Sequence, residues 1–259
     1  ISINQSKILI PSKMQPKYEF IDKTLFFPEQ GILAVGDLHI GYDYMIKQSG
    51  VLIPERQVKD IISDLKGIFN KIKKSNPENP INKIVFLGDI KHAFSYEAEE
   101  KYEFLEVMRF LKEIIDEKNI IFIRGNHDTI DFSYGNMVNC YITEDRQIAF
   151  LHGHKSFPEI FDKKVQLVVS GHLHPSIVLA EKLGVKKESY KCFLEGNYNG
   201  KTFIVMPSFV EYYEGTPVNE YREDYLESFF IVPKKEMLKF KIKVRGKDKV
   251  YDFGRSRDL

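Results

Sequence analysis

The sequence predicts an α/β fold in which two facing sheets are flanked by helices. Three observations carry this expectation. Two strand–helix–strand units follow one another in the first half, the pattern of parallel strands joined by crossover helices. The second half holds many short strand-like runs with little helix between them. The 259 residues, 43% of them hydrophobic, suffice for one large packed core.

The elements follow in chain order. Thr24–Phe27 and Ile32–Val35 are apolar runs joined by Pro28-Glu29-Gln30-Gly31, a hairpin signal. Pro54 to Lys74 has helical spacing, with Val58, Ile61, Ile62, Leu65, Ile68, Phe69 and Ile72 on one face. A Pro- and Asn-rich loop leads to a buried strand at Ile84–Leu87. Glu97 to Asp116 is helical again, its apolar stripe read as Tyr102, Leu105, Met108, Leu111 and Ile115. Ile120–Ile123 is the next buried strand. Later strands are expected at Val138–Ile142, Gln147–Leu151, Leu167–Ser170, Ile177–Ala180, Tyr190–Leu194, Thr202–Met206 and Leu238–Val244. No repeat, low-complexity stretch or linker interrupts the chain. One domain over residues 1–259 is expected, its strands within 190–250 completing the second sheet.

Charge is balanced, with 38 Lys and Arg against 37 Asp and Glu, so no global field points to nucleic acid or membrane. Two distant cysteines, Cys140 and Cys192, do not make a disulfide framework. The opening ISINQSKILIPSK lacks an apolar export signal, and no run is long enough to span a bilayer. A cytoplasmic protein with no membrane partner is expected. Oligomeric state is not legible.

Five short blocks carry chemistry: Gly36-Asp37-Leu38-His39-Ile40-Gly41, Gly88-Asp89-Ile90-Lys91-His92, Gly125-Asn126-His127-Asp128, His152-Gly153-His154 and Gly171-His172-Leu173-His174. Each follows an expected strand, so each sits on a loop at a strand's carboxyl end, where open α/β sheets bind ligands. All seven histidines of the chain fall inside these blocks, which packing alone would not produce. Carboxylates with imidazoles make a mixed oxygen and nitrogen ligand set, suited to Mn first and also to Zn, Fe, Co or Ni. Two such ions about 3.5–4 Å apart would clamp a phosphate and generate a hydroxide nucleophile. Holding two cations that close needs a shared carboxylate, for which Asp89 is the natural candidate.

The order of the five blocks resembles that of the calcineurin-like metallophosphoesterase superfamily. The resemblance implies a four-layer α/β/β/α sandwich with two facing mixed sheets and two bound divalent metals. It implies one metal on Asp37, His39, Asp89 and His174, and a second on Asp89, Asn126, His152 and His172. His127 would touch the phosphate and protonate the leaving group, and Asp128 would orient that imidazole. Metal-bridging hydroxide would attack phosphorus, with Asn126 helping to neutralise the phosphate oxygens.

Narrower likenesses are visible. Gly88-Asp89-x-x-His92 is similar to a block of SbcD-type DNA-repair nucleases. Thr24 to Gly41, and Thr202 to Phe209 with Gly215 following, are similar to archaeal SbcD-related phosphoesterases and bacterial DNA-ligase-associated metallophosphoesterases. The larger nucleases add a DNA-capping region and an ATPase-docking segment after the fold. Here the chain ends soon after the last expected strand, which counts against DNA-end processing with a partner ATPase.

Five further features stand out. His92 either touches substrate or packs, and His154 is read as supporting a ligand or a phosphate from behind. Arg124 either holds phosphate bidentately or makes a structural ion pair. Lys239, Lys241, Lys243 and Arg245 alternate with apolar residues, forming either a strip that tracks a phosphate backbone or a solvated outer strand. Tyr212 and Tyr213 would stack a base or pack.

The expected function is a metal-dependent phosphodiesterase or nuclease acting on DNA or RNA. The alternatives are a phosphatase or phosphodiesterase for a small molecule or nucleotide, and a non-enzymatic scaffold, which intact ligand blocks disfavour.

Overall fold

The computed structural model describes residues 15–54, 56–131, 137–180, 186–212, 215–220, 230–246 and 249–255. The first sheet contains β1 (Glu19–Ile21), β2 (Thr24–Phe27), β3 (Ile32–Val35), β4 (Lys83–Phe86), β5 (Ile120–Ile123) and β6 (Met137–Val138), in that spatial order. The β1–β2–β3 meander is antiparallel, and β3 through β6 run parallel. Between β3 and β4 lie α1 (Tyr42–Gln48) and α2 (Gln57–Ser75), and α3 (Ala98–Lys112) lies between β4 and β5.

The second sheet takes β7 (Cys140–Ile142), β8 (Ile148–Leu151), β9 (Leu167–Ser170), β10 (Pro175–Ala180), β11 (Lys187–Tyr198), β12 (Lys201–Val205) and β13 (Thr216–Pro217). After α4 (Lys234–Met237), β14 (Lys241–Arg245) and β15 (Val250–Arg255) complete it. Its order is β13-β10-β11-β12-β9-β8-β7, with β14 between β11 and β15. Here β8, β9 and β12 are mutually parallel and most other pairs antiparallel, so both sheets are mixed.

The period of two along each strand sorts the apolar residues into three cores. Leu33 and Val35 face outward, where α2 and α3 cover them, while Ile32 and Ala34 face the second sheet. The space between the sheets is filled by Leu25, Phe27, Val85, Leu87, Phe150, Val169, Phe193 and Ile204. Strands buried on both faces read as unbroken apolar runs, which is why β2 to β5 were legible. The outer face of the second sheet is covered thinly, by Ile160, Val232, Met237 and Phe240.

Three expectations are corrected. Val138–Ile142 is two strands, because the chain leaves the first sheet after Val138 and joins the second at Cys140. The buried face of α3 is Phe104, Val107, Met108 and Leu111, whereas Tyr102 and Leu105 point to solvent. The expected strand from Leu238 begins only at Lys241, since α4 and a following turn occupy the preceding residues. Among the described residues no helix is long and apolar enough to cross a membrane. Both cysteines are free thiols.

Candidate metal centre

All five blocks leave the carboxyl ends of parallel strands, namely β3, β4 and β5 of one sheet and β8 and β9 of the other. They converge at one end of the sandwich. The loops are stitched together through backbone: Leu38 and His39 N–H groups donate to the Asp89 carbonyl, at 3.2 and 2.9 Å. Phe209 N–H donates to the Asp37 carbonyl at 2.9 Å, joining the end of β12's loop to the first block.

Glycine is demanded at two of these positions by crowding. A Cβ on Gly125 would stand 2.1 Å from Asp89 Oδ1, and one on Gly171 would stand 2.4 Å from Asp37 Oδ2. Each carboxylate is thus seated in a backbone groove that a side chain would fill. Four of the seven expected ligands, His39, Asp89, His172 and His174, hold positive φ values of 43–67°. For non-glycine residues this conformation is strained, and such strain clusters where function demands a geometry.

Asp37, His39, Asp89 and His174 are at most 5% exposed, and one ligand atom from each lies within 4.8 Å of the others. His174 Nε2 approaches Asp37 Oδ1 at 3.3 Å and His39 Nε2 at 3.4 Å. Asp89, His152 and His172 form a second such set. His152 donates from Nδ1 to the Leu87 carbonyl at 2.8 Å, which aims its Nε2 inward. That Nε2 lies 3.0 Å from Asn126 Oδ1, 3.0 Å from His172 Nδ1 and 3.4 Å from Asp89 Oδ2. Asp89 therefore belongs to both sets.

This donor set fits divalent cations. Imidazole nitrogens face one another, and two lone pairs at 3.0–3.4 Å repel unless a proton or cation lies between them. Burial pushes His39 down to about 3 and His172 down to about 4, so both present neutral, ligating imidazoles. Burial works against ionisation of Asp37, yet His174 and His152 hold it below the ordinary carboxylate range. Asp89 is likewise held low, against burial, by its hydrogen bond from His152. Burial opposes it, yet Asp37 and Asp89 push His152 up to about 9. A metal there would displace its Nε2 proton and leave the anionic carboxylates and neutral imidazoles that metal binding requires.

Around this set, His127 N–H donates to Asp89 Oδ1 at 2.9 Å. Its ring Nδ1 meets the His92 carbonyl at 2.5 Å, so Nδ1 carries the proton and Nε2 faces the cleft, 4.0 Å from Asp89 Oδ2. Asp128 does not orient that ring. Its buried carboxylate accepts from the backbone of Gly125, Ile90 and Lys91, tying two blocks together. Short loops leave those amides unpaired, and the carboxylate satisfies them.

His92 packs edge-on to His39, their Nδ1 atoms 3.4 Å apart, with Met45 Sδ at 3.2 Å from its Nε2. His154 lies behind His152 and His172, at ring separations of 5.2 and 5.9 Å. Arg124 donates to the Asp128 carbonyl at 3.0 Å and approaches Asp131, a structural placement. Lys239 pairs with Glu236, Lys243 with Asp252, and Arg245 with Glu211 and Asp22, while β14 is bracketed by two strands. Lys239 lies outside the strand altogether, so the four cations do not form one strip. Tyr212 donates to Asp60, and Tyr213 lies outside the described residues.

The sequence reading missed several supports. Gln57, buried at the start of α2, donates to the carbonyls of Leu38 and His39 at 3.0 and 2.8 Å. A polar residue opening an apolar helix face was the available signal. Lys91 and Glu100, both buried, brace the loop after Asp89. The ligands open onto a cleft of about 270 Å³, walled on its far side by Gly215-Thr216-Pro217.

Residues 31–162 match the model of the family described as calcineurin-like phosphoesterase. The chain belongs to that family. It is a metal-dependent hydrolase of phosphoesters by this membership and by its buried Asp and His cluster. The phosphoesterase is similar in fold to a solved structure titled "Crystal structure of Pseudomonas putida nuclease MPE". The TM-score is 0.56 at 18% identity, covering 92% of this chain and 100% of that one. No curated protein matches the chain.

Proposed function

We propose that this phosphoesterase cleaves phosphodiester bonds of nucleic acid, using two divalent ions with manganese preferred. The observation that carries the diester reading is the lining of the cleft. His39, Asp89, Asn126, His127, His172 and His174 line it, with Gly215, Thr216 and Pro217, and none of these is Lys or Arg. A phosphomonoester brings a second negative charge, for which phosphatases commonly supply a cationic side chain. A diester brings one charge, which the metals themselves balance. The nuclease that shares the fold adds weight to a nucleic-acid substrate.

One ion would be held by Asp37, His39, Asp89 and His174, the other by Asp89, Asn126, His152 and His172. When bound, they supply Lewis acidity at the phosphoryl oxygens and an acidified water. The protein does the rest. The Asn126 amide, whose Oδ1 faces His152 Nε2 at 3.0 Å, would donate to phosphate through its NH2. His127, with Nδ1–H fixed on the His92 carbonyl, holds Nε2 toward the cleft, and a second proton carried at Nε2, as in imidazolium, is the one it would deliver to the leaving oxygen. His152 is kept in one tautomer by the Leu87 carbonyl.

A substrate panel tests the reading. Bis-(p-nitrophenyl) phosphate, p-nitrophenyl phosphate, cyclic nucleotides and single- and double-stranded DNA are each assayed with Mn and with Zn. Diester and single-stranded DNA cleavage is expected, with poor monoester turnover. Strong monoester turnover without DNA cleavage would sink the nucleic-acid reading.

A further inference from the structure

The loop that follows Asp89 holds an exposed aromatic ring against the proposed acid. Phe94 stacks on the His127 imidazole, with ring centroids 4.2 Å apart and planes inclined by 26°. Its inner face is covered by His127, yet the residue remains 58% exposed. A flexible loop would tuck such a ring away, since burying it gains roughly 1.5–3 kcal/mol.

This loop is anchored on both sides of the ring. Glu100 Oε1 accepts from the N–H groups of His92 and Ala93, at 3.1 and 2.6 Å. Lys91, 2% exposed, turns its Nζ into the loop, donating to the Ser95 carbonyl at 3.0 Å and to the Ala93 carbonyl. The Thr129 hydroxyl donates to the carbonyl of Phe94 itself. Two buried charged side chains are thus committed to fixing the four residues from His92 to Ser95, among which the Phe94 side chain makes no core. The ring is displayed.

We infer that Phe94 is a specificity-determining residue, the stacking platform for the nucleobase on the leaving side of the scissile phosphate. The inference rests on the nucleic-acid reading above. His127 lines the cleft and Phe94, itself exposed, stacks on its ring. A leaving nucleoside that takes its proton from His127 Nε2 therefore passes beside the open edge of Phe94. Stacking suits a site whose described lining residues include neither lysine nor arginine. Each base has a π-face, and such contacts are worth about 1–3 kcal/mol per base without reading sequence.

The test uses single-stranded oligonucleotides with one cleavable linkage, bearing either a base or an abasic sugar on its leaving side. Wild-type enzyme with Mn should favour the base-bearing strand about tenfold in kcat/KM. Phe94→Ala should erase that preference, and Phe94→Trp should restore it. The inference is overturned if Phe94→Ala keeps the preference, or if it slows both strands equally, which marks a structural role. If wild-type enzyme hydrolyses bis-(p-nitrophenyl) phosphate but cuts neither strand, the nucleic-acid reading falls and takes this inference with it.

Discussion

The metal cleft and strand β14 are both concentrations of charge or ligating groups, and they are resolved in opposite ways. In the cleft, like groups confront each other: imidazole nitrogens at 3.0 and 3.4 Å, on four histidines of which three, His39, His172 and His174, hold strained backbone. Among the described residues that line the cleft none is lysine or arginine. On β14, Lys243 and Arg245 each find a carboxylate of the same chain, at 2.9 Å in both cases. Arg245 even reaches across to Asp22 of the first sheet, making a clasp between the two sheets. Strain and mutual repulsion that the chain itself does not settle mark the place where a ligand is expected. Charge that the chain has already neutralised marks structure.

The largest effects should come from breaking the cleft. Asp89→Asn removes the carboxylate common to both ligand sets. Activity should fall at least a thousandfold, and metal content by elemental analysis should drop below that of wild type. Wild-type turnover with added Mn would show that Asp89 does not join two sites. His127→Asn separates ligand from acid. It should keep full metal content while turnover falls about 10²–10⁴-fold. Loss of metal with this variant would mean that His127 ligates.

How much of this was legible depended on whether the cause was local. Asp37, His39, Asp89, Asn126, His127, His152, His172 and His174 could be picked out because strand, glycine and ligand are adjacent in sequence. Each strand end then delivers its own block to a common point. The supports were harder to see because they come from elsewhere in the chain. Gln57 reaches back to His39 across eighteen residues, and Lys91 bends onto its own loop. Asp128 shows the limit of adjacency: it neighbours His127 in sequence, yet its carboxylate serves the amides of another block. Alternation in Leu238 to Arg245 correctly separated cations from apolar residues over β14, with Ile242 and Val244 in the core. It gave no sign of the partners, because Glu211 and Asp22 lie far away in sequence.

A smaller effect is expected from the satisfied region. Arg245→Glu sets a carboxylate against Glu211 and Asp22, turning the clasp into repulsion. These groups are partly exposed, so the loss should be about 1 kcal/mol or less, seen as a drop of a few degrees at most in Tm. Affinity for single-stranded DNA and its salt dependence should not change. If the salt slope becomes shallower by about one, the strand contacts phosphate and the contrast with the cleft is wrong.

The finest test lies where the two regions meet. Lys191 donates to Ser208 Oγ at 2.5 Å, and the next residue, Phe209, donates its N–H to the Asp37 carbonyl. Lys23 and Glu211 close the same cluster, 3.0 Å apart. Burial pushes the Lys191 amine down to about 7 from the usual 10.5; Lys23 and Arg245 add to the push, while Glu211 and Asp37 oppose it. Between pH 7 and 10.5 the unfolded chain holds a proton that the fold has released, so this group makes stability rise with pH across that window. Below pH 7 both states are protonated, and the fold bears the full cost of a buried ammonium. Lys191→Met removes the cost without removing the packing. Its Tm should exceed that of wild type near neutral pH, and the gain should shrink steadily toward pH 10. A difference that does not vary with pH would show that Lys191 keeps its charge in the fold. The wall behind Asp37 would then belong, electrostatically, with the neutralised pairs of β14.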